Sequence, residues 1–269
     1  MVPDGAPGQG RCALTPGAVA GSVLAPIAAG GALIYYACSV PTSQVLGRAL
    51  VRGPAAGREV VLTFDDGPAE PFTGQILDIL RRHRAPATFF CCGKNVARLP
   101  DLARRARHEG HTIGNHTWSH PLLYFKSRRR IEDEIDRTQE AIESVTGQAP
   151  AVFRPPYGVR WFGLFPALRA RGLTDVQWSD TGYDWKARHD GAAIARLTLE
   201  KLRPGAVILL HDGRERREPR DVDASTTVAA LPAIIEGVRR AGLEFAAIES
   251  FLPGCGRATA DTPKQSLKR

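Results

Sequence analysis

Apolar and polar residues follow two distinct patterns along the chain. Short apolar runs such as Val60–Leu62 are typical of buried strands, whereas residues 127–146 have apolar side chains at the spacing of a helix with one buried face. Ser127 and Gly147 are residue types that begin and end such a helix. These patterns predict strands at Glu59–Phe64, Ala87–Cys92, Thr112–Gly114, Val152–Phe153, Asp175–Trp178, Ala206–Leu210 and Phe245–Ile248. They predict helices at Thr73–Arg82, Leu99–Glu109, Ser127–Thr146, Phe165–Arg171, from Asp190 to Leu202, and at Thr227–Arg240.

Strands and helices therefore alternate from Glu59 onward, without an internal sequence repeat. Repeated strand–helix units imply parallel strands covered by helices, in a barrel or an open doubly wound sheet. In both arrangements active-site residues collect at the carboxyl ends of the strands. The predicted fold class is α/β, and candidate chemistry is expected directly after the strands.

The first forty residues have a different character. No charged residue lies between Arg11 and Arg48, and Ala18–Val40 consists mainly of Ala, Gly, Val, Leu, Ile and Tyr. About 20 apolar residues are enough for a helix to cross a bilayer. The sequence therefore predicts an N-terminal hydrophobic helix that anchors the protein in a membrane, with a cleaved secretory signal peptide as the alternative.

The composition changes again at both ends of the alternating region. Residues 41–57 are rich in Pro, Gly and Ala and are predicted to be a linker. The expected organisation is an anchor and linker over residues 1–57, a folded domain over residues 58–251, and a polar, disordered tail over residues 252–269.

Charge and cysteine content exclude some classes of protein. The net charge is +8, but the arginines are spread over many predicted helices and no basic motif interleaved with aromatic residues occurs. We therefore predict a solvated basic surface and no nucleic-acid partner. The odd number of cysteines and the lack of a Cys-x-x-Cys spacing give no disulfide framework and no zinc-knuckle signal. These cysteines are Cys12, Cys38, Cys91, Cys92 and Cys255.

Two adjacent acids, Asp65 and Asp66, follow the first predicted strand, and Gly67 and Pro68 then turn the chain. Because Asp, Gly and Pro are common in turns, a plain turn is one interpretation. Neighbouring carboxylates resist ionising together unless a cation or a basic group holds them. The alternative interpretation is a site to which other strand ends contribute partners.

Further polar groups follow four other strands. His116 and His120 are four residues apart, which on a helical turn would put both imidazoles on one face, able to bind one metal ion. Arg154 begins the motif Arg-Pro-Pro-Tyr-Gly, in which the prolines fix the backbone and allow the Tyr157 N–H to be directed at an oxyanion. A structural histidine pair and a rigid loop are the alternatives.

The last two strand ends carry Asp184-Trp185 and His211. A single histidine after an apolar strand is commonly a core residue with its hydrogen bonds satisfied. Separate structural explanations for all five strand ends are difficult to combine, so the set favours one shared site.

The five motifs, in this order, resemble those of the polysaccharide deacetylases, carbohydrate esterase family 4, which share the NodB-homology domain and include peptidoglycan and chitooligosaccharide deacetylases. The similarity extends from about Glu59 to Phe251. It implies a distorted (β/α) barrel with about seven strands. One departure is an extra residue between Asp180 and Asp184, where the family has Asp-x-x-Asp-Trp, and this leaves the role of Asp180 open.

The resemblance also implies a role for each motif residue. The implied metal ligands, usually on zinc and alternatively on another divalent ion such as Co²⁺, are Asp66, His116 and His120. The implied catalytic groups are the base Asp65, the arginine that orients it, Arg154, the backbone oxyanion donor Tyr157, the general acid His211 and its partner Asp184. The implied substrate contacts are Tyr157, Trp185 and Leu209, the last as a wall of the acetyl pocket.

The implied activity is metal-dependent removal of N-acetyl groups from N-acetylhexosamine glycans, such as peptidoglycan or chitin, with release of acetate. An O-acetyl esterase on xylan-like glycans is the alternative with the same chemistry. A non-catalytic, membrane-anchored glycan-binding module is the alternative from another class, although such a module is expected to have lost a ligand or the base.

Localisation follows from this activity. Polymeric glycans lie outside the cytoplasmic membrane, so the catalytic domain is predicted to face outward from its membrane anchor. The positive-inside rule favours the opposite orientation slightly, because Arg48, Arg52 and Arg58 follow the apolar segment while only Arg11 precedes it.

Overall fold

The computed structural model describes residues 30–186, 189–213 and 223–252. The strands are β1 (Ala49–Leu50), β2 (Glu59–Asp65), β3 (Thr88–Cys91), β4 (Thr112–Asn115), β5 (Val152–Phe153), β6 (Thr174–Val176), β7 (Asp180–Thr181), β8 (Val207–His211) and β9 (Glu244–Phe245). The helices are α1 (residues 30–39), α2 (Phe72–His83), α3 (Gly93–Arg98), α4 (Pro100–His108), α5 (Arg128–Thr146), α6 (Leu164–Ala170), α7 (Gly191–Glu200) and α8 (Ser225–Arg240). Short 3-10 helices cover Pro156–Gly158 and Ile248–Phe251.

Eight strands form a curled sheet in the order β1-β6-β5-β4-β3-β2-β8-β7, and β9 also pairs with β2. Each of these strand pairs is parallel. The α/β class and the barrel-like architecture are confirmed. The predicted number of about seven strands is too low, because β1 lies in the segment rich in Pro, Gly and Ala and β7 consists of two polar residues, so neither was predicted.

The side chains of the central strand β2 point alternately to the inner and the outer face of the sheet. On its inner face, Thr63 and Asp65 lie on the same side as Val61, because side chains alternate along a strand. Val61 belongs to an inner apolar cluster with residues of the neighbouring strands. The outward residues of β2 pack in the largest buried cluster, with α2, α7 and α8: Val60, Leu62 and Phe64.

Helix α5 begins and ends at its predicted capping residues. The Ser127 hydroxyl accepts a hydrogen bond from the Arg130 N–H, and Gly147 takes the left-handed conformation with φ of 73°. The face that carries Ile131 and Ile135 is buried, as the apolar spacing predicts. This helix packs behind the loop that follows β4, which contains both predicted histidine ligands.

Part of the predicted linker belongs to the sheet. Strand β1 pairs with β6, and Arg52 forms an antiparallel bridge with Ala206, the residue before β8. This segment therefore connects strands near opposite ends of the curled sheet. Sequence analysis assigned residues 41–57 to a linker because the segment is rich in Pro, Gly and Ala. Backbone hydrogen bonds to distant parts of the chain, which a local pattern does not show, hold it in place.

The predicted membrane-spanning segment, Ala18–Val40, lies largely outside the described residues. Its described part includes the described residues of α1, 30–39, which span about 15 Å at 1.5 Å per residue. The hydrocarbon core of a bilayer is about 30 Å thick. Across residues 30–186, 189–213 and 223–252, no helix combines the length and the apolar character that a membrane crossing requires. On this finding the prediction of a membrane-anchored protein is wrong, and the membrane is not supported as a partner.

The predicted tail over residues 252–269 lies outside the described residues except for Leu252, and so do Cys12 and Cys255. The described cysteines, Cys38, Cys91 and Cys92, are buried and free.

Candidate active site

The carboxyl end of β2 carries the two adjacent acids. Asp65 is buried and is the register partner of His211 on β8. Asp66 follows with φ of 77°. The turn after it is held by Asp212, whose Oδ1 accepts the Gly67 N–H at 3.1 Å. A Cβ atom on Gly67 would lie 2.0 Å from the Asp212 Oδ2, so this close approach requires glycine.

Asp66, His116 and His120 converge at this edge of the sheet. The Asp66 Oδ1 lies 3.2 Å from the His116 Nε2 and 3.0 Å from the His120 Nε2. The potential ligand atoms of the three residues all lie within 4.8 Å of one another. The structure therefore brings together the three residues that sequence analysis identified as metal ligands.

The two histidines meet through a loop and not on the helical turn that their spacing suggested. Thr117 and His120 have positive φ values of 68° and 54°. The Asn115 Oδ1 accepts the Thr117 N–H at 2.9 Å. The buried Glu134 of α5 accepts from both the N–H and the hydroxyl of Ser119, at 2.8 and 2.9 Å. Side-chain hydrogen bonds from β4 and α5 thus hold a backbone shape that a helix would not provide.

This donor set fits a divalent cation. The His116 Nδ1–H donates to the Arg154 carbonyl oxygen at 2.7 Å. Because a carbonyl oxygen only accepts, the neutral imidazole carries its proton on Nδ1 and keeps a lone pair on Nε2, as metal-binding histidines do. The Asp66 Oδ1 is buried, and among the described residues no donor is aligned to hydrogen-bond with it.

The charge on Asp66 is stabilised within the same group. Burial acts to raise the pKa of Asp66, but in the metal-free site hydrogen bonds from protonated His116 and His120 outweigh burial and hold the pKa well below its usual value. Two imidazole nitrogens and one ionised carboxylate oxygen are a typical ligand set for catalytic zinc.

Arg154 fixes the first acid. This arginine is fully buried, and its Nη1 donates to the Asp65 Oδ1 at 2.7 Å. Its Nε and Nη2 donate to the carbonyl oxygens of Val176 and Gln177 at 2.9 and 3.0 Å. The second carboxylate oxygen, Asp65 Oδ2, lies 3.9 Å from the His116 Nε2. One oxygen of Asp65 is therefore bound by arginine, and the other lies toward the metal-ligand group.

The loop after β5 brings Tyr157 to the same place. Pro155 and Pro156 have no backbone N–H, and Tyr157 takes the left-handed conformation with φ of 58°. The Tyr157 ring contacts the His120 ring, with 4.7 Å between centroids. The Tyr157 ring accordingly lies beside the metal-ligand group.

His211 is oriented by Asp184. The Asp184 carboxylate accepts the His211 Nδ1–H at 2.9 Å and the His211 backbone N–H at 2.8 Å. It also accepts the Thr227 hydroxyl at 2.7 Å. Burial acts to lower the pKa of His211, but the Asp184 carboxylate outweighs burial and raises the pKa to about 9. The Trp185 ring lies edge-on to the imidazole, 5.4 Å away.

Comparison with known proteins identifies the family of this chain. The family model for polysaccharide deacetylases matches residues 52–174. The chain is 41% identical over 193 residues to the chitooligosaccharide deacetylase of Bradyrhizobium sp. (strain ANU 289), covering 70% of this chain and 88% of that protein. The chain belongs to the polysaccharide deacetylase family.

Other members of the polysaccharide deacetylase family are similar as well. The peptidoglycan-N-acetylglucosamine deacetylase PgdA of Listeria monocytogenes (serotype 1/2a, strain 10403S) is 35% identical over 194 residues, which are 72% of this chain but 39% of that longer protein. The crystal structure of the Bc1960 peptidoglycan N-acetylglucosamine deacetylase has a TM-score of 0.70 at 36% identity, covering 75% of this chain and 91% of that chain. The predicted family, enzyme class and fold class are confirmed.

Two further residues of the polysaccharide deacetylase motifs have clear positions. Leu209 is buried on the same face of β8 as His211, two residues earlier. Asp180 forms an ion pair with Arg52 at 3.0 Å. Asp180 therefore ties β7 to the segment that follows β1, and this contact explains the acid that did not fit the family spacing.

Sequence analysis missed buried polar residues that support this polysaccharide deacetylase site. Asp212 accepts the Thr73 hydroxyl at 2.6 Å, and burial raises the pKa of Asp212 to about 7. Glu134 holds the histidine loop. Both residues could have been identified from the sequence, because Asp212 directly follows His211 and Glu134 lies on the apolar face of α5 next to Ile135.

Proposed function

We propose that this protein is a metal-dependent hydrolase that removes N-acetyl groups from glycans containing N-acetylglucosamine and releases acetate. The observation that carries the proposal is the meeting of three potential metal ligands within 4.8 Å beside the Asp65–Arg154 and His211–Asp184 pairs. Amide hydrolysis needs an activated water, an oxyanion donor and a general acid. Each of these functions has a candidate group at this site.

The metal would be held by Asp66, His116 and His120, as Zn²⁺ or another divalent ion such as Co²⁺. Such an ion supplies a water of lowered pKa and polarises the acetyl carbonyl. Three protein ligands are the number typical of catalytic zinc sites, which keep one position open.

Asp65 is the proposed base. It accepts a proton from the attacking water as the water oxygen bonds to the amide carbon. Arg154 binds the Asp65 Oδ1, which leaves Oδ2 as the oxygen for this proton transfer. The backbone N–H of Tyr157 is the proposed donor to the oxyanion that develops on the acetyl group.

His211 is the proposed general acid. Its Nδ1 is bound to Asp184, so Nε2 donates the proton that the sugar nitrogen takes up as the C–N bond breaks. The neighbouring Asp184 carboxylate favours the charged imidazole that this step requires. Leu209 and Trp185 are the proposed walls for the acetyl group and the sugar. The products are acetate and a free amino group on the sugar.

The names of the relatives support the substrate class. One relative is called a chitooligosaccharide deacetylase, and two are called peptidoglycan N-acetylglucosamine deacetylases. We assign the glycan partner to this class and the catalytic domain to residues 58–251, which contain every candidate residue. An O-acetyl esterase on xylan-like glycans would use the same groups. A non-catalytic glycan-binding module has no need of a buried base–arginine pair, and the retention of that pair favours an enzyme.

Acetate release tests the proposal. The Zn²⁺-loaded protein is assayed on an N-acetylglucosamine pentamer, on peptidoglycan and on acetylated xylan, beside chelator-treated protein and the Asp65→Asn variant. We expect acetate from the N-acetylated glycans, and no acetate after chelation or with Asp65→Asn. Release from xylan alone would identify the esterase, and release from none of the three would contradict an acetyl hydrolase.

A further inference from the structure

Four aromatic side chains on the loops that follow His120 and Tyr157 form a cluster, which we call the aromatic platform: Tyr124, Phe125, Trp161 and Phe162. The Trp161 ring is central, with centroids 5.4 Å from Tyr124, 4.9 Å from Phe125 and 5.1 Å from Phe162. Phe125 is 85% exposed and Phe162 is 59% exposed. The platform is therefore a connected aromatic surface and not a set of scattered side chains.

Phe125 has two energetically unfavourable features that the packing of the domain does not explain. Its ring is almost fully exposed, and its backbone has φ of 58°, a region that bulky residues avoid. Strained backbone conformations collect at sites of ligand binding, and connected apolar surface on a soluble domain commonly marks an interaction site. A ligand that covers the ring accounts for both features.

Two short loops connect the platform to the proposed reaction centre. Tyr124 follows His120 by four residues, and Trp161 follows Tyr157 by four residues. The rings of His120 and Tyr157 are 4.7 Å apart. Four residues span at most about 14 Å, so the platform lies within the length of a few sugar rings of the metal-ligand group.

The base of the platform is held by the chain before β1. The Tyr124 hydroxyl hydrogen-bonds with the Ser39 hydroxyl. Arg160, next to Trp161, is buried. Its backbone N–H donates to the Cys38 carbonyl oxygen at 2.8 Å, and its Nη1 donates to the Ser43 carbonyl oxygen at 2.6 Å. The aromatic rings are thus presented on an anchored backbone.

We propose that the aromatic platform binds sugar units of the glycan that lie beyond the unit being deacetylated. This inference rests on the proposed function. A pyranose ring presents axial C–H groups that pack on an aromatic face while its hydroxyls stay hydrated, and aromatic side chains provide large, flat contact area. Because the loops that carry the platform begin at His120 and Tyr157, the same glycan chain is favoured as the occupant over a separate partner. The protein therefore prefers longer glycans to a disaccharide.

Binding is measured without turnover, by calorimetry on Zn²⁺-loaded Asp65→Asn protein with the hexamer and the dimer of N-acetylglucosamine. We expect the hexamer to bind at least tenfold tighter than the dimer. Phe125→Gly in the same background removes the ring and its contact with Trp161 but relieves the positive φ, so it should still fold, as circular dichroism checks, while reducing the hexamer-to-dimer affinity ratio about tenfold. The matched control is Tyr35→Ala, which removes a 64% exposed aromatic ring of α1 outside the platform and should leave the ratio unchanged.

Equal binding of hexamer and dimer would overturn the proposal, even for a protein that releases acetate. An unchanged ratio in Phe125→Gly, or self-association that Phe125→Gly abolishes in place of hexamer preference, would overturn it as well. Length-dependent binding that depends on Phe125, together with no acetate release from any glycan, would support the platform and refute the proposed activity.

Discussion

Asp65 and His211 are register partners on the neighbouring parallel strands β2 and β8. Each is held by a buried residue of opposite charge, Asp65 by Arg154 and His211 by Asp184. Adjacent strands lie about 4.8 Å apart. The sheet itself therefore sets the separation of the proposed base and the proposed acid, one on either side of the reacting amide.

The first prediction concerns the base. Asp65→Asn keeps the shape of the side chain but cannot accept the proton from water, so kcat should fall about 10²- to 10⁴-fold. Because Asp65 is not one of the three expected ligands, the zinc content measured by atomic absorption should stay at the wild-type level. A variant that loses zinc along with activity would instead place Asp65 in the ligand set.

The second prediction concerns the metal. Adding Zn²⁺ to chelator-treated protein should raise Tm, since an ion at 100 times its Kd stabilises the folded state by about 2.7 kcal/mol. His120→Ala should abolish this rise, and differential scanning calorimetry measures it. His108→Ala, which removes an exposed histidine of α4, is the control and should behave as the wild type. Equal rises in both variants would contradict the proposed ligands.

The third prediction concerns pH. His211 has a pKa of about 9, so the proposed acid should lose its proton, and kcat should fall, as pH rises through about 9. Asp184→Asn removes the carboxylate that raises this pKa, and the alkaline limb of the pH–rate profile should move to lower pH. A limb that stays in place in Asp184→Asn would exclude His211 as its origin.

The same pair predicts a pH dependence of folding. The pKa of His211 is higher in the folded protein than the ordinary value of 6.5. Its stabilising contribution is therefore complete below pH 6.5 and is lost as pH rises through about 9. Urea unfolding of metal-free protein on both sides of this range should show the loss in the wild type and a smaller loss in Asp184→Asn.

The fourth prediction concerns the turn after Asp66. A methyl group at Gly67 would overlap the Asp212 carboxylate, so Gly67→Ala should destabilise the protein by about 1–3 kcal/mol and weaken zinc binding by displacing Asp66. Gly74→Ala is the matched control, because its nearest neighbour is 3.9 Å away inside α2. It should keep or raise the free energy of unfolding, by about 0.5–1 kcal/mol.

The local pattern of apolar and polar residues was sufficient to predict the longer strands and helices. The strand β2 and the helix α5 were predicted because an apolar run and a capped apolar face are properties of a few consecutive residues. The strands β1 and β7 were not predicted, because β1 lies in a segment rich in Pro, Gly and Ala, β7 is polar, and both are held by partners far along the chain. The prediction of an anchor rested on the apolar composition of Ala18–Val40 alone, and no helix among the described residues has the length and apolar character of a membrane span.

The identity of the residues that meet at the site followed from their order along the chain. Parallel strands bring their carboxyl ends to one edge of the sheet, so a polar residue after each strand predicts a shared site. The backbone conformations that bring these residues together depend on tertiary contacts alone. The histidines are joined by a loop that Glu134 holds from a neighbouring helix, and the acidic turn is held by Asp212 from a neighbouring strand. Such contacts join residues remote in sequence, and they exist only once the whole sheet has closed around them.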